Sequence, residues 1–191
     1  MLKNSHAIVI LRIELHGMEP LIWRRVRVPS AMTLRDLHAV VQRVMGWQDS
    51  HLHEFRVDDA VIGIVDRQEL DTLESLEDER KWTVSTVVET GATDFEYVYD
   101  FGDHWLHRII MEPVTRSRVP GTGVLCLAGE GACPPEDVGG PPGYAQFLDA
   151  LADPSHSEHK TYVDRVGGVW DIKAFDLNRV NLDLRAAGLA R

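Results

Sequence analysis

At 191 residues, with 44% hydrophobic and 26% charged side chains, the chain is long enough to bury a core as one domain and too evenly mixed to be disordered or fibrous. Its 30 acidic against 20 basic residues give a formal charge of -10, which repels a phosphate backbone at long range and speaks against non-specific nucleic-acid binding. Two cysteines make no disulfide framework, and the apolar run over residues 7–11 is too short for a signal segment or a membrane span, so a cytoplasmic protein with free thiols is expected.

Residues 8–15 set Val9, Leu11, Ile13 and Leu15 on one face while the other turns polar at Arg12 and Glu14, the pattern of a strand with one buried side. Residues 16–20 read as a turn and 21–28 alternate again, which makes a hairpin. Its Arg24, Arg25 and Arg27 form the densest basic cluster and read as a solvated strand face. Pro29 and Ser30 end the second strand. Thr33 is placed to cap a helix bearing Leu34, Leu37, Val41, Val44 and Met45 at three- and four-residue spacing, with Gly46 as its stop. Residues 51–57 return to alternation and set His51, His53, Phe55 and Val57 on one face. This ββαβ order predicts a β-grasp-like start. Asp58 and Asp59 read as a turn, residues 61–65 as a short strand, and residues 66–81, with seven carboxylates, as a mobile surface loop. Residues 83–88 fit either a strand, by their β-branched side chains, or a turn capped by Thr83.

Residues 94–111 form the longest alternating stretch. Uninterrupted, it would bring Tyr97, Tyr99, Phe101, Asp103, Trp105, His107 and Ile109 to one face, but Gly102 between two aspartates predicts a bulge or a hairpin there. The segment CLAGEGACPPEDVGGPPGY follows. Proline removes amide donors and glycine weakens helix and strand alike, so residues 126–143 are expected to be an ordered loop that lines a site or is pinned by its own side chains. Helical spacing resumes with Tyr144, Phe147, Leu148 and Leu151. It returns over residues 157–166, with Tyr162, Val163 and Val166 inward and Gly167 as the stop, and again over 176–187, with Leu177, Val180, Leu184 and Ala187 as the stripe. The whole predicts one α+β domain over 1–191: a mostly antiparallel sheet over 7–125, the loop, and a helical part over 144–188 packed on the sheet.

The segments IWRRVRVP, TLRDLHAVVQRVMGW, HLHEFRV, YVYDFGDHWLHRI, CLAGEGACPPEDVGGPPGY and AFDLNRVN together resemble the plasmid pRiA4b ORF-3-like family over residues 8–184. The resemblance implies a single α+β domain without an assigned chemistry and a link to mobile elements, since such proteins are sometimes labelled insertion-element passengers or resolvases. The motifs of a serine recombinase and a basic DNA-binding region are both missing from the sequence. Val138 stands where members of the family often carry cysteine, so a zinc site built from loop thiols alone would lack a ligand.

Several constellations carry chemistry. His51 and His53, about 7 Å apart along one strand face, are close enough to share a divalent metal such as zinc with His107 and Cys133, or with Asp103, Glu136 or Asp137. The competing reading packs the imidazoles among Tyr97, Tyr99 and Trp105, their ring N–H groups donating to loop carboxylates or carbonyls; no HxxEH, HExxH or CxxC spacing supports a metal. Asp100 and Asp103 either work as acid and base near His104 and His107 or cap turns. Glu136 and Asp137 either receive a cation or basic partner or accept amides and hold the loop shut. No base flanks Cys126 or Cys133, which read as small buried residues.

The function expected on these grounds is a non-enzymatic binding module without a cofactor. Tyr97, Tyr99, Asp100, Asp103, Trp105, His107, Glu136, Asp137 and Tyr144 would line an aromatic cleft for a protein, peptide or small-molecule ligand, with no nucleic-acid or membrane partner. The alternative is a metal-dependent hydrolase or nuclease acting through His51, His53, His107 and a loop acid.

Overall fold

The computed structural model describes residues 8–64, 76–112 and 123–190. Alternation in the first two segments closes as a hairpin of β1 (Ile8–Leu15) and β2 (Ile22–Pro29), paired from Ile8 opposite Pro29 to Leu15 opposite Ile22. The apolar side of β1 is buried as its period demands. Helix α1 (Leu34–Met45) follows, with Thr33 Oγ1 accepting the Asp36 amide at 3.1 Å and Gly46 ending it in the left-handed region at φ 91°. Its Leu34, Leu37, Val40 and Val41 are fully buried, each contributing about 2 kcal/mol of apolar transfer.

The sheet continues with β3 (His53–Val57), β4 (Ala60–Gly63), β5 (Leu76–Asp78), β6 (Asp94–Tyr99), β7 (Trp105–Glu112) and β8 (Leu125–Glu130), in spatial order β5-β4-β3-β6-β7-β1-β2-β8. Neighbouring strands are antiparallel except β4 and β5. The ββαβ order of the start is as expected, and β3 lies across β6 and β7 from β1. Gly102 sits in the turn of the β6–β7 hairpin, which sets Tyr97 opposite His107 and Tyr99 opposite Trp105. Helices α3 (Gly140–Ala152), α4 (His159–Val166) and α5 (Leu177–Ala186) make the helical third. Asn181 of α5 bonds both backbone groups of Cys126, at 3.0 and 2.9 Å, and so covers the sheet edge at β8.

Four local expectations are corrected or settled. The arginines of β2 are not one solvated face: Arg25 pairs outside with Glu112 at 2.7 Å, but Arg24 and Arg27 are buried. The Arg24 guanidinium donates to the carbonyls of Val44, Trp23, Glu130 and Gly131 at 2.8 to 2.9 Å and lies over the Phe175 ring. Residues 76–81 of the acidic run are no surface loop, since 76–78 form β5 and Glu79 is buried; residues 65–75, including the last of the predicted 61–65 strand, lie outside the described residues. Residues 83–88 resolve in favour of the cap, as α2 (Val84–Thr90) with a reciprocal Thr83–Thr86 box. The irregular loop is shorter than 126–143 because β8 reaches Glu130 and α3 begins at Gly140. Gly129 is a strand residue since Phe175 and Arg24 fill the space of a Cβ, and Pro141 and Pro142 occupy the first helical turn, where amides have no intrahelical partner anyway.

Candidate functional site beside the proline-glycine loop

Residues 131–139, between β8 and α3, are pinned at nearly every position. Trp47 Nε1 donates to Pro134 O at 3.0 Å, the Tyr99 hydroxyl to Glu136 Oε1 at 2.6 Å, and the Gln48 amide to the same oxygen at 3.2 Å. His51 Nε2 donates to Asp137 Oδ1 at 2.9 Å, and the Gly139 amide to Asp103 Oδ2 at 3.1 Å. Arg165 of α4 donates to the carbonyls of Glu136 and Asp137 from the other side. Close approach is built in: a Cβ on Gly143 would lie 2.0 Å from the Val138 carbonyl oxygen, and one on Gly140 2.3 Å from that of Asp103. The loop is thus a fixed wall rather than a mobile strap.

Between this wall, the end of α1 and α4 lies a cleft of about 470 Å³, lined by Trp47, Gln48, Ser50, residues 133–137, Arg165 and Trp170 among others. At its edge His51, Asp100 and Asp137 bring one ligand atom each within 4.8 Å of one another, with Asp100 Oδ2 3.5 Å from His51 Nε2. Asp100 Oδ1 faces the other way and accepts the amides of Gly102 and Asp103 at 2.9 and 3.3 Å, so Asp100 caps its turn with one oxygen and meets the imidazole with the other. Asp100 at φ 57° and Asp137 at φ 54° both hold left-handed backbone, which places the two carboxylates on the same imidazole.

The structure divides the predicted site. Glu136 and Asp137 line the cleft, Tyr99 braces it through Glu136 while its own phenol is raised by burial and then by that carboxylate, and Asp100 and Asp103 meet its edge. Tyr97, Trp105 and His107 do not line it: all three are sealed in the core, Trp105 and His107 tilted or edge-on against Trp47 and Tyr97 tilted against His107. They are core because the aromatic face of the hairpin is the face that α1 covers. Tyr144 is buried and accepts from Trp170 Nε1 at 3.2 Å.

Nor do His51, His53, His107 and Cys133 share one centre. His51 lies on the bend ahead of β3, not on the strand, and reaches the loop acids. His53, the first residue of β3, turns inward to Glu79 at 2.7 Å and stacks on His38. His107 donates Nδ1–H to Trp105 O and Tyr97 O, at 3.0 and 3.3 Å, and burial lowers its pKa to about 4. Burial also raises the thiols of Cys126 and Cys133, to about 11 and about 12, which removes both as thiolate ligands or nucleophiles at neutral pH. Sequence reasoning missed Trp47, Gln48, Arg165 and Trp170 in the cleft. The tryptophan directly after the Gly46 helix stop was the one available signal, since an aromatic there packs back on the helix end.

A family model described as plasmid pRiA4b ORF-3-like protein matches residues 7–179. The uncharacterized protein y4hQ of Sinorhizobium fredii is 42% identical over 188 residues, which cover 97% of this chain and 95% of the relative. The crystal structure of a protein of unknown function, MM3350 from Methanosarcina mazei Go1, matches with a TM-score of 0.78 at 34% identity, over 90% of this chain and 96% of that one. Among the described residues no helix is long and apolar enough to cross a membrane.

Proposed function

This chain belongs to the plasmid pRiA4b ORF-3-like family, and we propose that it acts as a non-enzymatic, cytoplasmic binding module that holds a basic peptide or small amine in the cleft beside the proline-glycine loop. One observation carries the reading: the loop is locked against the core, its backbone by Trp47 and Asp103 and its acids by Tyr99 and His51, so the cleft is formed before any ligand arrives. Preformed walls spare a ligand the entropy of ordering them. The Asp137 side chain, 68% exposed, and the net charge of -10 favour a positive group, and Trp170 with the prolines supplies an apolar wall. Thermal-shift screening of lysine- and arginine-bearing peptides and small amines, followed by calorimetry, tests it. The expected result is binding that weakens about tenfold in Asp137→Asn, the loss of one charge-assisted contact. Indifference of every cationic ligand to the protein, or of binding to that substitution, removes the proposal.

A second reading is favoured by the His51–Asp100–Asp137 set, whose nitrogen and carboxylate donors suit a divalent cation serving a hydrolase. It predicts stoichiometric manganese or zinc in protein purified without chelating resin, and ester or phosphodiester hydrolysis that Asp100→Asn abolishes. Metal-free, inactive protein disposes of it.

A further inference from the structure

A different cluster, beneath α1 and independent of the cleft, holds one of the two buried side-chain nitrogens that have no hydrogen-bond partner among the described residues. His53 Nε2 meets Glu79 Oε2 at 2.7 Å with both side chains 2% exposed. A carboxylate only accepts there, so Nε2 carries the proton and, in neutral His53, Nδ1 is left as a bare lone pair. That Nδ1 is enclosed and has no hydrogen-bond partner among the described residues. An orphaned buried acceptor is costly to keep, so a ligand that takes its lone pair is favoured. Next to it, the His38 ring lies parallel to that of His53 with centroids 3.5 Å apart, and it bonds Asp49 Oδ1 through Nε2 and the Tyr97 hydroxyl through Nδ1, both at 2.8 Å. One ring nitrogen of each histidine and a carboxylate oxygen of Asp49 lie within 4.8 Å of one another.

We propose that His53 Nδ1, Asp49 and His38 bind a divalent transition-metal ion of the zinc type, with Glu79 as the outer carboxylate that fixes the His53 tautomer. Two imidazoles and one carboxylate are a donor set that zinc takes and that magnesium or calcium does not prefer. The Glu79–His53 bond is the carboxylate–histidine arrangement that orients metal-bound imidazoles and raises their basicity. The Asp49 side chain, 56% exposed, opens the cluster to solvent, while its backbone amide is fixed by Gln42 Oε1 at 2.9 Å. Burial first, and then the neighbouring His53, lower His38 to about 4, so its imidazole is neutral. Parallel rings cannot both contain one ion, so His38 turns about its Cβ–Cγ bond as the ion enters. Nε2 gives up its proton and Nδ1 takes one, so the Tyr97 hydroxyl turns its own hydrogen away and changes from donor to acceptor toward the ring, which keeps no net charge.

The test uses the full chain stripped with a chelator, titrated with Zn²⁺ by calorimetry and with Co²⁺ by visible d–d absorption. One ion per chain is expected. In His53→Gln the side-chain amide replaces Nε2 against Glu79 and deletes Nδ1; affinity should fall by about 100-fold while the melting profile stays cooperative. Glu79→Gln should weaken binding about tenfold, the scale of lost outer-carboxylate support. His51→Ala should leave the Co²⁺ spectrum unchanged, which separates this site from the one at the cleft edge. If His53→Gln does not fold, the exposed Asp49→Ala carries the same expectation. Wild-type protein that takes up no Zn²⁺, variants that titrate like wild type, or a Co²⁺ spectrum lost in His51→Ala would each overturn the assignment.

Discussion

His51 and His53 stand two residues apart and meet opposite surroundings. His51, on the bend before β3, keeps 30% of its side chain exposed and bonds an aspartate that is 68% exposed; His53, where the strand begins, is closed in with Glu79 at 2% each. The chemical pairing is the same, an imidazole with a carboxylate, but its energetic meaning is not. An exposed pair exchanges its partners for water at little cost and contributes about 0–1 kcal/mol. A sealed pair has no such exchange, and removing one member leaves the other stranded at about 3–5 kcal/mol. The cleft edge can therefore change partners when a ligand arrives, while the His53–Glu79 pair under α1 is a fixed part of the frame.

The largest expected effect breaks the sealed side. Glu79→Ala strands the His53 N–H and removes the side chain that joins the residue after β5 to β3, so unfolding in denaturant should show a loss of about 3 kcal/mol, the upper end for a buried polar group left without its partner. A loss under about 1 kcal/mol would mean that water reaches the pair, and the two sides would no longer differ in kind.

The sealed interior is also where acid should act, through His107. Its Nε2 has no partner, its Nδ1–H is bound to the carbonyls of Trp105 and Tyr97, and the nearby Arg24 charge adds to the burial that holds it near 4. Above pH 6.5 both folded and unfolded chains hold it neutral. Between 6.5 and about 4 only the unfolded chain takes up the proton, so this stabilisation is present above the unfolded value and is lost as pH falls through the window, about 3 kcal/mol in all. Denaturant unfolding from pH 7 to 4 should show that slope in wild type and a shallower one in His107→Phe; equal slopes would mean the imidazole is not held neutral.

Which parts of this contrast the sequence reveals follows from how local each signal is. A period of two marked the buried faces of β1 and of the β6–β7 hairpin, and a capping threonine with a terminal glycine marked α1 to the residue, because those signals lie within a dozen positions. Glu79 was hidden because its partner comes from β3, 26 positions earlier, and because six other carboxylates around it carry the average of a solvated run. His38 was hidden beside Leu37 in a helix whose spacing draws attention to its apolar positions alone. The loop was over-extended at both ends since composition alone does not distinguish a glycine that admits Phe175, or prolines that open a helix, from a true irregular segment.

The smallest expected effect falls on the cleft edge and is the more discriminating for it. His51→Ala deletes the bonds to Asp137 and Asp100, but Tyr99 and Gln48 still hold Glu136, Trp47 still holds Pro134 and Asp103 still holds the Gly139 amide. With these four anchors and the Arg165 bonds to the loop carbonyls left, and both aspartates free to take up water, the stability change should stay below about 1 kcal/mol by denaturant unfolding. Amide exchange at Gly139 should remain slow for the same reason. A loss above about 2 kcal/mol, or fast exchange through the whole loop, would show that His51 is what keeps the wall in place. The edge would then be as much a part of the frame as His53, and a ligand could enter only by displacing structure.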